Sequence, residues 1–540
     1  MIVKSFFLLS LLFSFNAFTH VTNLTTIQNS LNPFDMISVP GLAHNTSALE
    51  TNIDLPVTSK KYSNPPAIPP AQTCPYKLGF TSLCQELKNS SLTIQGSIPE
   101  WLSGSFVAIG PGIFELNKSK AAHWLDGFGM LHQFLIKDGT ITYGNKLIDS
   151  FYYQDCCKLG KLRGSTPEKK QSAFSKLTSA LSSNKRPVYD NANINIAQFN
   201  NQLVALTETP CPLTIDRKTL KTKGKFVFDD TIEAHFASAH PLFDPVSQQW
   251  FGIAMQYAHT STYIIYTMKA GSKKRVTLAS FPVGYPAYMH SFGLTKNYLI
   301  LTESPLIVSP YDLLLSDYSF IDTFKWQPKN GTNFIVVNRH TGKKVGTFKT
   351  EPFFTLHHVN AFEKNGAIYL DLIAYKDPEI ITKGFTYKNL CKSKAQLPIG
   401  HLKRYTIDLK SNKVSGITLS SHPMELPHIN ADKLMHEHQY VFATTGEKGI
   451  ASQLIKLDLK TKQHLLWHCN NCYTTEPIFV PTPQAQEEDD GVILSTILDC
   501  NEKKSFLVIL DAKTMKEMAR AYVSHHIPFT IHSKFFSSTI

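Results

Sequence analysis

The stretch from Tyr285 to Pro305, YPAYMHSFGLTKNYLILTESP, joins a histidine to a strand-like run. Its second half, NYLILTES, alternates and then becomes continuously apolar, as buried strands do. Its first half places His290 among aromatic and uncharged residues just before that strand. A histidine in this setting is either a packed core residue or a metal ligand, and the stretch alone leaves both interpretations open.

Short strands and tight turns fill the chain from about Cys74 to its end. Pairs of apolar runs flank Asp-Gly or His-Thr-Gly-Lys turns, as in FLIKDGTITYG and NFIVVNRHTGKKVGTF, and this pattern is typical of β-hairpins. A long all-β chain without a domain break favours closure into a ring, because a closed ring protects sheet edges. The pattern predicts an all-β, seven-bladed β-propeller with large loops on one face; a pair of sandwiches is the alternative.

The first 73 residues differ from the rest in composition. Within residues 1–19, one lysine precedes an apolar run of 14 residues from Ser5 to Phe18, which is short for a membrane span and typical of a signal peptide. We expect export to the periplasm or secretion, with an uncleaved anchor or a cytoplasmic protein as alternatives. Residues 20–73, rich in Asn, Thr, Ser and Pro, predict a disordered leader, and residues 74–540 predict a single folded domain.

The net charge of +12 suits an anionic surface. The basic residues are mostly scattered and no nucleic-acid-binding motif is present, so nucleic acid is not an expected partner. From Lys158 to Arg186, however, eight basic residues accompany one acid, Glu168. Within this stretch, one apolar helical face is predicted from Ala173, Phe174, Leu177, Ala180 and Leu181. The stretch is either an interfacial membrane helix or a solvated basic loop.

The chain has nine cysteines, an odd number for a disulfide framework. Cys469 and Cys472 form a CxxC motif, but no second pair has zinc-site spacing. We therefore expect a local disulfide or free thiols there. Cys156 and Cys157 are adjacent and cannot easily bridge each other.

Four of the 21 histidines share an apolar or aromatic setting. They are His240 in ASAHP, His290 in YMHSF, His357 in TLHHVNAF and His532 in FTIHSKFF. The first three are separated by 50 and 67 residues, close to one blade of a propeller, so inner strands of different blades could bring them together at the axis. His357 and His358 are neighbours in a strand-like run and face opposite sides, so only one can reach the axis.

Four neutral imidazoles suit a first-row divalent metal. Such ligands usually donate their other ring N–H to a carboxylate, which fixes the tautomer. Acids beside apolar runs are therefore candidates for these partners: Glu208 in LVALTETP, Glu425 in HPMELPHIN and Glu476 in TTEPIFVP. Each could equally be an ordinary exposed or salt-bridged carboxylate.

A series of specific motifs follows along the chain: GSIPEWLSGSFVAIGPGIFEL, HWLDGFGMLHQFLIKDG, ASAHPLFDP, YMHSFGLTKNYLILTESPL, FKWQPKNGTNFIVVNRHTGK, FTLHHVNAFEKNG, LKRYTIDL, EPIFVPTPQAQEEDDGVILSTILD and IPFTIHSKFF. In these motifs, and from about residue 76 to 540, the chain resembles the carotenoid oxygenase family. This family includes carotenoid and apocarotenoid cleavage dioxygenases and the isomerohydrolase of the retinal pigment epithelium.

The resemblance implies a seven-bladed propeller with a helical cap over the face where substrate enters. It also implies one Fe(II) per subunit, held by His240, His290, His357 and His532. The glutamates and the histidines that they would hold are Glu208 with His290, Glu425 with His357, and Glu476 with His532; His240 is left without an acid partner. The basic stretch lies where related proteins have a membrane-dipping segment.

The implied activity is cleavage of a conjugated C=C bond of a carotenoid or apocarotenoid by O2, giving two carbonyl products. No residue beyond the metal ligands need act as an acid or base. The alternatives are a non-oxidative retinoid isomerase or hydrolase, a stilbene-cleaving dioxygenase, and a carrier of apolar ligands. The intact histidine set argues against the carrier.

Two details of the motifs need separate interpretation. Ser533 follows the last histidine, where many relatives carry glycine, and so adds a hydroxymethyl group near the metal. The HWLDGFGMLHQF stretch contains His123, Trp124, Asp126 and His132. We interpret it as structural rather than catalytic, because in the family it closes and packs a blade.

Overall fold

Antiparallel strands make up most of the protein in the computed structural model, which describes residues 75–162, 189–315, 320–392 and 395–537. The predicted signal peptide and leader, and most of the basic stretch including its apolar helical face, lie outside these residues. The strands of the first half are β1 (Ser90–Ser91), β2 (Ile94–Gly96), β3 (Gly104–Ile113), β4 (Glu115–Leu116), β5 (Ser119–Lys120), β6 (Phe128–Lys137), β7 (Thr140–Leu147), β8 (Asn195–Phe199), β9 (Gln202–Leu206), β10 (Leu213–Ile215), β11 (Thr222–Lys225), β12 (Phe236–Ala237), β13 (Leu242–Asp244), β14 (Gln249–Gln256), β15 (Ser261–Lys269) and β16 (Arg275–Val283). Those of the second half are β17 (Gly293–Leu294), β18 (Tyr298–Glu303), β19 (Leu306–Ile307), β20 (Lys325–Trp326), β21 (Thr332–Asn338), β22 (Lys344–Thr350), β23 (Phe354–Lys364), β24 (Ala367–Tyr375), β25 (His401–Asp408), β26 (Lys413–Pro423), β27 (Glu425–His428), β28 (Tyr440–Thr445), β29 (Gln453–Asp458), β30 (His464–His468), β31 (Cys472–Thr474), β32 (Ile478–Pro481), β33 (Gly491–Asp499), β34 (Lys504–Asp511), β35 (Glu517–Tyr522) and β36 (His532–Phe536).

Seven of the sheets form the blades of a propeller, which confirms the predicted fold and excludes the pair of sandwiches. From the axis outward, blade 1 is β36, β3, β6, β7 and β1, and blade 2 is β8 to β11. Blade 3 is β12 with β13, then β14, β15 and β16; blade 4 is β17, β18, β21 and β22. Blade 5 is β23 to β26, blade 6 is β27 to β30, and blade 7 is β31 with β32, then β33, β34, β35 and β2. Inner strands of neighbouring blades touch, as β17 touches β23 and β36 touches both β8 and β32.

The ring is closed by strands from both ends of the described chain. The C-terminal strand β36 pairs with β3, placing His532 opposite Ile109. The N-terminal strand β2 pairs with β35, placing Ile94 opposite Ala521. Each end therefore completes a blade built mostly by the other end, and the position of His532 depends on this closure.

The middle strands of the blades are buried on both faces because each blade packs between two neighbours. All but the last residue of β3 are buried, as are all but the first of β33. Blades 1 and 7 share one apolar cluster that includes Phe106, Phe134 and Leu507. This packing explains why runs such as GVILSTILD are continuously apolar rather than alternating. The outer strand β22, by contrast, is mostly exposed.

Several of the short helices and turns pack together and form a cap of the predicted kind. The α-helices are α1 (Phe151–Leu159), α2 (Pro310–Leu315) and α3 (Tyr387–Leu390). The tighter or wider helical turns are Pro75–Phe80, Trp124–Asp126, Ile321–Thr323, Pro328–Asn330, Ile380–Gly384, Ala431–Lys433 and Glu447–Gly449. One apolar cluster unites Phe80, Tyr152 and Leu390 from three of these segments with Phe114, which lies between β3 and β4, so the cap has a core of its own.

Helix α1 begins and ends with recognisable capping residues. The Ser150 hydroxyl accepts a hydrogen bond from the Tyr153 backbone N–H at 3.0 Å, and the Asp190 carboxylate accepts from the N–H groups of Phe151 and Tyr152. Gly160 ends the helix with φ 68°, a backbone conformation that glycine adopts without steric cost. These contacts fix one wall of the cavity described below.

The HWLDGFGMLHQF stretch makes structural contacts of the kind expected from its sequence. Asp126 accepts a hydrogen bond from the His123 backbone N–H at 2.9 Å, and His123 Nδ1 accepts from the Leu125 N–H at 3.3 Å. His123 Nε2 lies 2.9 Å from the Ile381 carbonyl oxygen, which ties the first blade to the cap. His132 is fully buried and lies 2.8 Å from the Tyr143 hydroxyl.

Elsewhere, a disulfide joins Cys469 to Cys472, one of the two states expected for the CxxC motif.

A buried ion pair between blades 3 and 4 provides a test of how the blades are held together. Arg339 pairs with Asp244, and both side chains are about 95% buried. Replacing Arg339 with Ala leaves the carboxylate of Asp244 buried without its cation, so we expect a loss of about 3–5 kcal/mol in the free energy of unfolding, measured by chemical denaturation. Lys120→Ala removes an exposed pair with Glu115 and should change little; equal effects of the two variants would contradict this account.

Candidate metal centre

Four histidines from four blades meet at the propeller axis. His240 lies between β12 and β13, His290 lies just before β17, His357 lies within β23, and His532 begins β36. One ring nitrogen of each lies within 4.8 Å of those of the other three. The structure thus brings together all four residues that the sequence singled out, and their role as metal ligands remains a prediction.

The ring nitrogens that face the centre lie close together. His240 Nε2 lies 2.9 Å from His290 Nε2, and His357 Nε2 lies 3.2 Å from His532 Nε2. In three of the rings the other nitrogen, Nδ1, is hydrogen-bonded to a carboxylate and carries the proton. When these rings are neutral, their Nε2 lone pairs point inward, which is the donor arrangement that a metal cation requires.

Three glutamates from the remaining blades hold three of the histidines. The pairs and their N···O distances are His290 Nδ1 to Glu208 Oε1 at 2.6 Å, His357 Nδ1 to Glu425 Oε2 at 2.6 Å, and His532 Nδ1 to Glu476 Oε1 at 2.9 Å. Glu208 follows β9 in blade 2, Glu425 begins β27 in blade 6, and Glu476 lies between β31 and β32 in blade 7. The pairing is the one that the resemblance implied, and each of the seven blades contributes one residue to the centre.

His240 is held differently from the other three. Among the described residues no carboxylate contacts its ring. Instead, its backbone N–H donates to the Ser238 hydroxyl at 3.1 Å, and that hydroxyl donates to the His290 carbonyl oxygen. Ser238 therefore links the backbone segments that carry two of the four histidines.

Burial and the neighbouring charges determine the protonation of the centre. Burial, followed by the other three histidines, places the pKa of His240 well below its usual value. Burial also lowers the pKa of His532 to about 4, although Glu476 opposes this shift. At His357 burial acts in the same direction, but the carboxylate of Glu425 outweighs it and raises the pKa. Four nitrogen donors, at least two of them neutral over the physiological pH range, fit a borderline first-row divalent ion.

The second histidine of the TLHHVNAF stretch faces away from the centre, as the strand alternation predicted. His358 Nδ1 lies 2.7 Å from the Ser291 hydroxyl, and its Nε2 lies 2.7 Å from the Thr302 hydroxyl. Burial lowers its pKa to about 3, so it is a neutral core residue.

The Ser533 backbone N–H donates to Glu476 Oε2 at 2.6 Å, so this position supports the carboxylate through its backbone as well as adding a side chain.

Two tyrosines complete the hydrogen bonding around the glutamates, and the sequence analysis missed both. The Tyr288 hydroxyl donates to Glu208 Oε1 at 2.8 Å, and the Tyr375 hydroxyl donates to Glu425 Oε1 at 2.7 Å. Tyr288 could have been noticed because it precedes His290 by two residues in YMHSF. Tyr375, at the end of β24, is distant in sequence from both Glu425 and His357 and carries no such signal.

A predominantly apolar cavity adjoins the centre. It has about 1290 Å³ of empty space, including its open mouth, and reaches His290, His357 and Glu425. The rest of its wall is largely aromatic and aliphatic, including Phe80, Trp124, Ile194, Leu356, Phe385 and Phe529. A second cavity of about 1430 Å³, again including its opening, lies beyond Leu125, Ile194, Tyr288 and Ile381, which line both. The tunnel-lining residues could not be placed from sequence.

Comparisons with known proteins agree with this geometry. The family described as retinal pigment epithelial membrane protein matches residues 80–537. The chain is 31% identical to β,β-carotene 15,15′-dioxygenase from Rattus norvegicus, over 84% of this chain and 90% of that protein. It is also 31% identical to carotenoid isomerooxygenase from Galleria mellonella, over 81% of this chain and 92% of that protein. A crystal structure of cobalt-substituted Synechocystis apocarotenoid oxygenase superposes with a TM-score of 0.76 at 26% identity, covering 86% of this chain and 98% of that one.

The two adjacent histidines of β23 allow a matched test of the centre. His357→Ala removes one of four converging nitrogens, so we expect the purified protein to lose at least about 90% of its bound divalent metal, because changing even a hydrogen-bonding partner of a ligand typically lowers metal affinity 10- to 100-fold. His358→Gln, next to it but facing away, should keep its metal. Metal content per folded protein, measured by inductively coupled plasma mass spectrometry, checks both; equal metal loss in the two variants would contradict the assignment.

Proposed function

Because the chain belongs to the retinal pigment epithelial membrane protein family, which is the carotenoid oxygenase family of the sequence analysis, we propose that it is a non-haem Fe(II) dioxygenase that cleaves a conjugated C=C bond of a carotenoid or apocarotenoid. The observation that carries the proposal is the convergence of four histidine nitrogens beside a large, predominantly apolar cavity. The relatives named as a carotene dioxygenase and a carotenoid isomerooxygenase support the substrate class. The cobalt-substituted apocarotenoid oxygenase, which has the same fold, supports a metal centre in this chain.

The residues present suit ferrous iron. Four imidazoles would hold it and leave room in its coordination sphere, and bound Fe(II) would supply the O2-activating chemistry that amino-acid side chains lack. Each histidine is directed at the centre by a carboxylate or, for His240, by the Ser238-linked backbone. The protein's own tasks are therefore to hold these nitrogens in place, to position the polyene and to exclude water.

The wall of the cavity favours a long, uncharged and apolar substrate. Aromatic side chains such as Phe80, Trp124 and Phe529 line it, and burying their surface against a polyene is favourable. Among its described lining residues the only formally charged group is Glu425, whose oxygens are already hydrogen-bonded to His357, Tyr375 and the Leu426 backbone N–H. The described side chains of this wall therefore offer an ionic substrate no free group of opposite charge.

The proposed reaction balances without an acid or base from the protein. One C=C bond and the O–O bond of O2 break, and two C=O bonds form, so that each carbon of the cleaved bond receives one oxygen atom. No proton is gained or lost. This agrees with a centre in which Tyr288, Tyr375 and the three glutamates are hydrogen-bonded within the histidine network.

We also propose that the protein contacts a membrane surface from which an apolar substrate can enter. In the described residues no helix is both long and apolar enough to cross a bilayer. Phe151 and Phe320, 45% and 42% exposed, line the second cavity, and exposed aromatic side chains at a cavity mouth suit a shallow interfacial contact.

A vesicle sedimentation experiment tests the membrane contact. Changing both Phe151 and Phe320 to Asn should lower the fraction of protein that sediments with vesicles containing anionic lipid, because apolar area at the interface is lost. Val246→Asn, which alters a residue 86% exposed elsewhere on the ring, is the control. Equal sedimentation of the wild type and the double variant would contradict this contact.

Product analysis tests the proposed reaction itself. Aerobic incubation with a panel of carotenoids and apocarotenals should yield two shorter carbonyl products, each carrying one oxygen atom from ¹⁸O2 in mass spectra. Removal of iron with a chelator should abolish turnover, and Fe(II) should restore it.

The other outcomes of this experiment are informative as well. Full activity after chelation would contradict the iron-dependent mechanism. Turnover without O2 consumption would identify a non-oxidative isomerase or hydrolase, and bound but uncleaved polyene would identify a carrier.

A further inference from the structure

The two tyrosines at the centre donate to the same carboxylates that hold the histidines. At Glu208 a single oxygen, Oε1, accepts both the His290 Nδ1–H at 2.6 Å and the Tyr288 hydroxyl at 2.8 Å. The Tyr288 hydroxyl also lies 3.4 Å from His290 Nδ1 itself. The phenol and the imidazole therefore share one acceptor.

At Glu425 the two donors are divided between the oxygens. Oε1 accepts from the Tyr375 hydroxyl at 2.7 Å, and Oε2 accepts from His357 Nδ1 and from the Leu426 backbone N–H, both at 2.6 Å. The Tyr375 hydroxyl therefore affects the hydrogen bond between His357 Nδ1 and Oε2 only through the delocalised charge of the carboxylate. Its influence on His357 should therefore be weaker than that of Tyr288 on His290.

The third pair contains no phenol among the described residues. Glu476 accepts from His532 Nδ1 at 2.9 Å and from the Ser533 backbone N–H at 2.6 Å. The centre is thus asymmetric: two histidine–glutamate pairs are polarised by tyrosines, one by a backbone amide, and no carboxylate of the described residues contacts the ring of His240.

Both phenols are held in the donor state. An ionised carboxylate can only accept a hydrogen bond, so each phenol is the donor to Glu208 or Glu425. Phe354 lies between them, with ring centroids 6.2 Å from Tyr288 and 6.5 Å from Tyr375. The three rings pack side by side, so replacing either tyrosine with phenylalanine would remove the hydroxyl and leave the ring contacts.

A hydrogen bond donated to a carboxylate lowers the charge that the carboxylate can offer to another donor. Carboxylates that accept from metal-bound histidines increase the basicity of the imidazole and stabilise the higher charge state of the metal. A phenol on the same carboxylate opposes that effect, because its charge-assisted hydrogen bond draws off negative charge. The buried site strengthens both interactions.

We propose that Tyr288 and Tyr375 are positioning residues that limit the charge passed from Glu208 and Glu425 to His290 and His357, and thereby keep the bound iron ferrous. This inference rests on the proposed function. It also links the cavity wall to the metal centre, because the rings of both tyrosines line the cavity and their hydroxyl groups are hydrogen-bonded to the carboxylates of the centre.

The inference is tested with the iron-loaded full-length protein and three single variants, Tyr288→Phe, Tyr375→Phe and Tyr143→Phe. Tyr143 is the control because its buried hydroxyl contacts His132, outside the centre. At one fixed ambient potential, the ratio of Fe(III) to Fe(II) is measured by electron paramagnetic resonance. We expect Tyr288→Phe to raise the ratio about tenfold, equivalent to a midpoint potential about 59 mV lower for a one-electron couple.

Tyr375→Phe should raise the ratio less, and Tyr143→Phe should leave it unchanged. The inference would be overturned if the ratio of Fe(III) to Fe(II) in Tyr288→Phe were unchanged or shifted toward Fe(II). Iron content and the midpoint of thermal unfolding are measured on the same samples; a merely structural role would lower these two quantities without shifting the ratio of the retained iron, and that result would also overturn it. If neither the wild type nor Tyr143→Phe binds iron, the proposed function itself fails.

Discussion

Ring nitrogens of His240, His290, His357 and His532 converge on one small volume at the propeller axis. Two of the contacts between them are only 2.9 and 3.2 Å long, so each ring has little freedom to move independently of the others. A structure that maintains such an arrangement must constrain each ring from outside. The closed ring of blades supplies the constraint, because no inner strand can shift without displacing its neighbours.

The outer constraint on the histidines is electrostatic. Glu208, Glu425 and Glu476 fix the tautomer of three rings, and their negative charges partly offset that of a bound dication. Each carboxylate is in turn hydrogen-bonded by a second donor: a phenol at Glu208, a phenol and a backbone amide at Glu425, and a backbone amide at Glu476. Satisfying these oxygens reduces the penalty of burying charge. The centre is therefore a layered network in which cavity-lining residues, carboxylates and ligands depend on one another.

Much of this could be predicted from the sequence, for identifiable reasons. Hairpin turns and near-regular spacing of strands indicated the propeller, and the settings of His290 and His357 singled out inward-facing positions. The resemblance then favoured the ligand over the core residue, a choice that spacing alone had left open. Strand alternation correctly separated His357 from His358, since neighbouring residues on a strand face opposite ways.

Other features could not be read from the sequence. The contact of Tyr375 with Glu425 joins residues 50 positions apart, and no local pattern reports such a pairing. The cavity wall is assembled from loops whose conformations depend on packing, as the shared cluster of Phe80, Phe114 and Leu390 illustrates. The exchange of β2 and β36 between the first and last blades likewise depends on the closure of the whole ring.

The central claim is that one iron ion lies among these four imidazoles. The most direct measurement is a crystal structure of the protein purified under anaerobic conditions, with anomalous diffraction data collected on both sides of the iron absorption edge. The account predicts a single strong anomalous peak about 2.1 Å from one nitrogen of each histidine, as is usual for imidazole ligands of first-row metals. A difference map without that peak, or with an iron peak bound elsewhere on the chain, would contradict it.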